Sequence, residues 1–160
     1  MIAVYSPTNV SDKDDIDAFY NSLDGLTSAI PSHNVCLLIG DLNSRVKGLW
    51  SFHGATNRNG EKLEELVEKK KLWIGSTKFR KKRGKLWTYR GPNGYNAQID
   101  HIIINTKWKN SVVNMEAYST FSSVESDHRV VVADIKISLR RPKIAPRKVK
   151  YDWNCLMIGT

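Results

Sequence analysis

The stretch Asn34-Val35-Cys36-Leu37-Leu38-Ile39-Gly40-Asp41-Leu42-Asn43 decides how the rest of the chain is read. Its apolar run is too short for a helix and has no polar interruption, the pattern of a strand buried on both faces in an α/β protein. Gly40 closes the run, and the C-terminal end of the strand delivers Asp41 and Asn43. Residues i and i+2 of an extended segment point the same way, which puts a carboxylate and an amide on one face. Gly-Asp-x-Asn is equally ordinary turn chemistry, because an Asp side chain accepts hydrogen bonds from the backbone two residues on.

Working outward, Ile2 to Tyr5 reads as a strand stopped by Ser6-Pro7, where proline removes a ladder donor. Ser11 stands three residues before Asp14 as a capping-box-like start. It precedes Ile16, Phe19, Tyr20, Leu23, Leu26 and Ile30 at helical spacing, which predicts an amphipathic helix ending before Pro31. Ser44 to Gly60 is polar and glycine-containing, with Trp50, Phe52 and His53 in its middle, and reads as a loop. Asn59-Gly60 precedes a second helix with Leu63, Leu66 and Val67 on one face. A strand follows at Leu72 to Ser76. A hairpin around Gly91-Pro92-Asn93-Gly94 is expected to join Leu86–Arg90 to Gln98–Asn105. Val112 to Tyr118 and Val130 to Leu139 give two further strands. Residues 1–139 form one expected domain, and 140–160 a basic, proline-broken linker or tail.

Composition limits the possibilities. A chain of 160 residues with 41% hydrophobic content suffices for one globular domain with a core. The formal net charge of +9 favours polyanionic partners such as nucleic acid. Cys36 and Cys155 lack the paired spacing of a zinc site or disulfide framework, which fits a reducing compartment. The first residues lack the pattern of a signal peptide, and no apolar stretch is long enough to span a bilayer, so a nuclear or cytoplasmic protein without membrane contact is expected.

Two more polar blocks flank apolar runs: Gln98-Ile99-Asp100-His101 and Ser126-Asp127-His128. Hydrolysing a phosphodiester needs an activated water, cations to neutralise the phosphoryl oxygens and help for the leaving oxygen. Asp41 could orient the water and take its proton, and the Asn43 amide could bond the phosphoryl oxygen or the water. Asp127 could bind a hard cation such as Mg2+, and His128 could contact the phosphate. Asp100, inside a strand, needs a partner, and His128 is the natural one: a carboxylate on one ring nitrogen fixes the tautomer and raises basicity. His101 should face the other side of its strand and is read as structural. Lys78, Arg80, Lys81, Lys82, Arg83 and Lys85 form the densest cationic patch and could bind a nucleic-acid backbone, with Phe79, Trp87 and Tyr89 beside them for stacking. A solvated hairpin explains the same run of charge.

In their order, Val4-Tyr5-Ser6-Pro7, Gly40-Asp41-Leu42-Asn43, Trp87-Thr88-Tyr89, Gln98-Ile99-Asp100 and Ser126-Asp127-His128 resemble the endonuclease/exonuclease/phosphatase superfamily over residues 1–139. Within it, His53-Gly54, the run Asn57 to Leu63 and the tail Lys150-Tyr151-Asp152-Trp153 resemble endonuclease domains of LINE-type retrotransposons and the craniofacial development protein 2-like family. The resemblance implies an α/β fold, the C-terminal part of a four-layered sandwich in which two packed mixed β-sheets are flanked by helices. It implies a DNA-nicking phosphoesterase using Mg2+ or Mn2+, and a downstream reverse transcriptase in the parent element. Carried over by residue, Tyr5 contacts the scissile phosphate and Asp41 is the water-orienting base. Asn43 stabilises the transition state, Asp127 helps hold the metal, and Asp100 orients His128. The superfamily's asparagine and metal-binding glutamate, which precede the strand equivalent to Ile2–Tyr5, have no counterpart here. The expected domain is therefore incomplete, its first half missing, and its activity weakened or lost. A phosphatase of the same superfamily and a noncatalytic nucleic-acid-binding remnant are the alternatives.

Overall fold

The computed structural model describes residues 1–118 and 126–138. Its strands are β1 (Ile2–Tyr5), β2 (Leu37–Asp41), β3 (Leu72–Ile74), β4 (Tyr89–Arg90), β5 (Asn96–Ala97), β6 (Asp100–Asn105), β7 (Val112–Tyr118) and β8 (Val130–Ile135). Its helices are α1 (Lys13–Ser28) and α2 (Arg58–Lys69). The main sheet has four strands in the order β1-β2-β6-β3, while β4 with β5 and β7 with β8 form two-stranded sheets. The expected tail, Cys155 and the end of the last expected strand at Leu139 lie outside the described residues.

The main sheet is mixed. β1 runs parallel to β2, as the α1 crossover between them requires, and β6 runs antiparallel to both β2 and β3. Each face carries its own core. On one side Leu38 and Ile103 of the sheet meet Ile16, Tyr20 and Leu23 of α1 and Leu63 and Leu66 of α2. On the other, Ile102 and Ile104 pack with Val112 and Met115 of β7, joined by Leu37, Ile39, Val131, Ala133 and Ile135. The alternation of side chains along β2 and β6 thus feeds helices on one face and a second sheet on the other, which is why both strands read as unbroken apolar runs. This is a mixed α/β architecture of sheets flanked by helices. Among the described residues, no helix is long and apolar enough to cross a membrane.

Several local expectations change. Asp12, not Ser11, occupies the N-cap of α1 and makes no side-chain capping bond, and the Ser11 hydroxyl instead meets that of Thr8. Leu26, at a helical core spacing, is exposed. Asn59-Gly60 lies inside α2, because Asn57 is the cap: its side chain accepts from the Gly60 N–H at 2.8 Å. β3 stops at Ile74 and passes into a 3-10 turn at Gly75–Thr77. The hairpin is shorter than the sequence suggests. Tyr89–Arg90 pair with Asn96–Ala97, while β6 leaves that ribbon to join the main sheet.

Gly40 controls the join of β1 to β2. Its φ of +151° suits glycine, and a Cβ there would lie 1.9 Å from the Val4 carbonyl oxygen. Because that clash is with backbone, Gly40→Ala should lower the guanidinium unfolding midpoint sharply or leave the chain insoluble. Gly54→Ala, with nothing within 4 Å of the added methyl, should unfold like the parent chain.

Candidate active site

Strand register assembles the site. In the sheet Tyr5 stands opposite Asp41, and Asp41 stands opposite Asp100, so one row across β1, β2 and β6 holds a phenol and two carboxylates. The third polar block reaches them through β4. The Arg90 N–H donates to the Asp127 carbonyl at 2.8 Å, the Arg129 N–H donates to the Thr88 carbonyl at 2.7 Å, and Tyr89 pairs with His128. Thr88, buried in this junction, accepts on its hydroxyl from the N–H groups of Ile99 and Asp100, each at 3.1 Å. It fixes the backbone on which Asp100 sits.

His128 Nδ1 lies 3.0 Å and 3.2 Å from the two Asp100 carboxylate oxygens, and its Nε2 lies 3.9 Å from Asp41 Oδ2. The Tyr89 ring centroid is 4.9 Å from that of the imidazole. With Nδ1 donating to Asp100, Nε2 is directed toward the Asp41 side of the site. Burial pushes the Asp41 carboxyl above its ordinary value; the Asn43 N–H opposes this, and the neighbouring charges of Asp100 and Asp127 add to it.

Asn43 reaches the site by a route other than an extended strand. Asp41 Oδ1 accepts from the Asn43 N–H at 2.8 Å, an Asx turn, and Asn43 has a φ of +46°. The turn chemistry and the convergence of the two side chains are therefore compatible. The Asn43 amide donates to the Ser6 carbonyl at 2.9 Å. Its own carbonyl accepts from the side chains of Asn57 and Asn59. Asn59, fully buried, also donates to the Pro7 carbonyl at 2.9 Å, so the Asn57 to Gly60 run ties the exits of β1 and β2 to α2.

A cavity of about 500 Å³ opens over this cluster, lined by Tyr5, Asp41, Asn43, Asp127 and His128 together with Arg45, Asn57, Tyr89 and Tyr95. Tyr5 is 74% exposed, and Asp127 is exposed at the cavity wall. The sequence gives Arg45 and Tyr95 no role, and gives Tyr89 only a stacking role beside the cationic patch. Asn57 lies in the Asn57 to Leu63 run that carries the resemblance, and its signal as a polar cap before a helical pattern is legible once the helix start is known. His101, by contrast, is buried on the other side of β6, between Ser76 Oγ at 2.6 Å and the Ser44 carbonyl at 2.9 Å. That agrees with a structural residue.

Asp41, Asp100 and His128 each offer one ligand atom, all within 4.8 Å of one another. Asp127, the expected metal residue, is not in that trio and stands at the cavity wall. Among the described residues no lysine or arginine pairs with Asp41, Asp100 or Asp127, which leaves oxygen donors of a type that suits a hard divalent cation.

The cationic stretch is not an even row of solvated charges. Lys81 and Lys85 both pair with Glu116, at 3.2 Å and 3.0 Å, and these contacts hold the nearly buried Glu116 carboxyl below its ordinary value, Lys85 most of all. Arg80 lies over the Trp50 ring and Arg83 over the Phe52 ring. Lys78 and Lys82 are exposed.

Fold and site together define a member of the endonuclease/exonuclease/phosphatase class. Residues 1–132 match the sequence profile described as endonuclease-reverse transcriptase, and the chain belongs to that family. It is 30% identical over 159 residues to craniofacial development protein 2 of Bos taurus, covering 94% of this chain and 26% of the relative. The counterpart from Tragulus javanicus is 28% identical, with 94% and 27% covered. The chain thus spans about a quarter of the length of these curated relatives. Among solved structures it is similar to the Neisseria 3' phosphatase NExo bound to product DNA hairpin, with a TM-score of 0.69 at 15% identity over 84% of this chain and 60% of that one. It is also similar to the endonuclease domain of TRAS1, a telomere-specific non-LTR retrotransposon, with a TM-score of 0.62 at 15% identity over 84% and 57%.

His53 supplies a test of the loop beside the site. Its Nε2 accepts from the Gln98 N–H at 2.9 Å, and burial, followed by the charge of Arg45, pushes its pKa down to about 4. The unfolded imidazole titrates near ~6.5. Between these values the unfolded chain binds the additional proton, so His53 stabilises the fold above the upper value and that contribution is lost as pH falls through the lower one. Urea midpoints should therefore drop from pH 7 to pH 4.5, and His53→Gln should flatten part of that drop. An unchanged slope would remove His53 from the account.

Proposed function

We propose that this chain is the catalytic-face portion of a phosphodiester-cleaving domain that nicks DNA with the help of Mg2+ or Mn2+. The observation that carries the reading is the Asp100–His128 pair standing beside Asp41 in a cavity lined by a third carboxylate, that of Asp127.

Asp41 is placed to orient a water and take its proton, and a carboxyl held above its ordinary value is a better base for that task. Asp100 fixes the imidazole, leaving His128 Nε2 to bond a phosphoryl oxygen. One N–H of the Asn43 amide is taken by Ser6, and the other is available to the substrate or the attacking water. Tyr5, exposed at the end of β1, offers its hydroxyl to the same phosphate. Asp127 would hold the metal, which when bound would supply charge neutralisation on the phosphoryl oxygens. The reading includes descent from a retroelement, supported by the family's description and the likeness to TRAS1. It also includes a domain of which residues 1–139 are the second part, supported by the share of the solved neighbours that the chain covers.

The test is nicking of supercoiled plasmid with Mg2+, with chelator as control, by this chain and by a version extended with the relatives' preceding segment. The extended version should nick. Asp41→Ala or His128→Ala should then cost roughly 100-fold or more, the scale of a lost acid–base group. Asp100→Asn should reduce the rate without abolishing DNA retention. Absence of nicking by the extended version, or full activity of Asp41→Ala, would refute the reading. Faster turnover of a soluble phosphomonoester than of plasmid would move it to a phosphatase.

A further inference from the structure

We propose that Arg80, Arg83 and Arg129, each laid against an aromatic ring, form a track that grips a DNA phosphate backbone beside the site, and that Lys81 and Lys85 take no part in it. The inference rests on the proposed DNA substrate and assigns its contact surface.

The three arginines are linked step by step to the site. Arg129 follows His128, its guanidinium lies over the Trp87 ring, and its Nη1 donates to the Gly84 carbonyl at 2.7 Å. Gly84 adjoins Arg83, whose Cζ is 4.2 Å from the Phe52 ring centroid. Two residues from Phe52, Trp50 carries Arg80 at 5.5 Å. A guanidinium resting on a ring loses much of its rotamer freedom while its in-plane N–H groups stay directed away from the ring, so less entropy remains to be lost when it binds a phosphate; Arg129 gives one of these donors to Gly84. None of the three arginines has a carboxylate partner among the described residues.

The rings are themselves held. Gln98, 3% exposed, accepts from the Phe52 N–H at 3.0 Å through its side-chain oxygen and donates to the Ser76 carbonyl at 3.2 Å. Its backbone N–H donates to His53. Two residues before Asp100, Gln98 therefore clamps the loop that presents Trp50 and Phe52 to the strand end that carries the site. The lysines have a different fate. Lys81 and Lys85 share the single Glu116 carboxylate, and Lys81 also reaches the Asn114 side chain, so both ammonium groups are drawn toward β7 and tie the stretch to it.

The experiment is fluorescence-anisotropy titration of duplex DNA across a salt series with chelator present, so that binding is read apart from cleavage. Arg80→Ala with Arg83→Ala should lower the slope of log affinity against log salt by about 2, roughly one per phosphate contact. Lys81→Met with Lys85→Met, the same formal charge removed, should leave the slope within about 0.5 of the parent while lowering the melting temperature, since Glu116 loses its partners. Phe52→Leu, with no change of charge, should weaken binding several-fold by releasing Arg83. Equal slopes for the parent and the arginine variant, or an equal loss from the lysine variant, would overturn the track. Failure of the parent chain to bind DNA at low salt would instead overturn the DNA reading beneath it.

Discussion

Asp41 and Asp100 stand opposite each other on adjacent antiparallel strands, two carboxylates forced together by the register of β2 against β6. Like charges directly opposite are unfavourable, more so where burial thins the solvent. The surrounding structure answers that conflict. His128 takes one carboxylate, the Asn43 N–H takes an oxygen of the other, and the Thr88 hydroxyl anchors the backbone beneath Asp100. The register cannot slip to relieve the repulsion, because a one-residue shift would turn Leu38 and Ile103 away from the helices and Ile102 and Ile104 away from β7. A core that cannot move therefore holds an acidic pair that favours a cation.

The same logic explains why a short ribbon matters. β4 and β5 bury little, yet β4 receives the Asp127 to Arg129 segment on its outer edge and so sets the position of His128 relative to β6. Asn57, Asn59 and Gln98 do comparable work for the loops. Each satisfies backbone groups from separate segments, and each fixes a loop without contributing apolar area.

Much of this was legible in the chain. The Leu37 to Gly40 and Ile102 to Ile104 runs announce two-sided strands, and the Asp41, Asp100 and His128 blocks are visible as polar residues at their ends. What the sequence hid was set by tertiary contacts. Ser11 looks like a cap, yet the helix starts one residue later because Asp12 takes the position. Asn43 was placed on Asp41's face by strand geometry, whereas the structure brings it there through a left-handed turn held by Ser6. The cationic stretch reads as uniform, and only β7 reveals that two of its lysines are tied to Glu116. Trp50 and Phe52, lost in a polar loop, acquire meaning once arginines lie on them.

The central claim is that a water positioned by Asp41 attacks a phosphodiester in this cavity. The direct measurement is cleavage of DNA in H2-18O with Mg2+ by the domain extended with its relatives' preceding segment, followed by mass spectrometry of the new termini. The account predicts one 18O atom in the terminal phosphate formed at each nick, with labelled nicks accumulating roughly 100-fold more slowly when Asp41 is replaced by Ala. Nicks without label, or labelled nicks at undiminished rate in the Asp41→Ala chain, would contradict it.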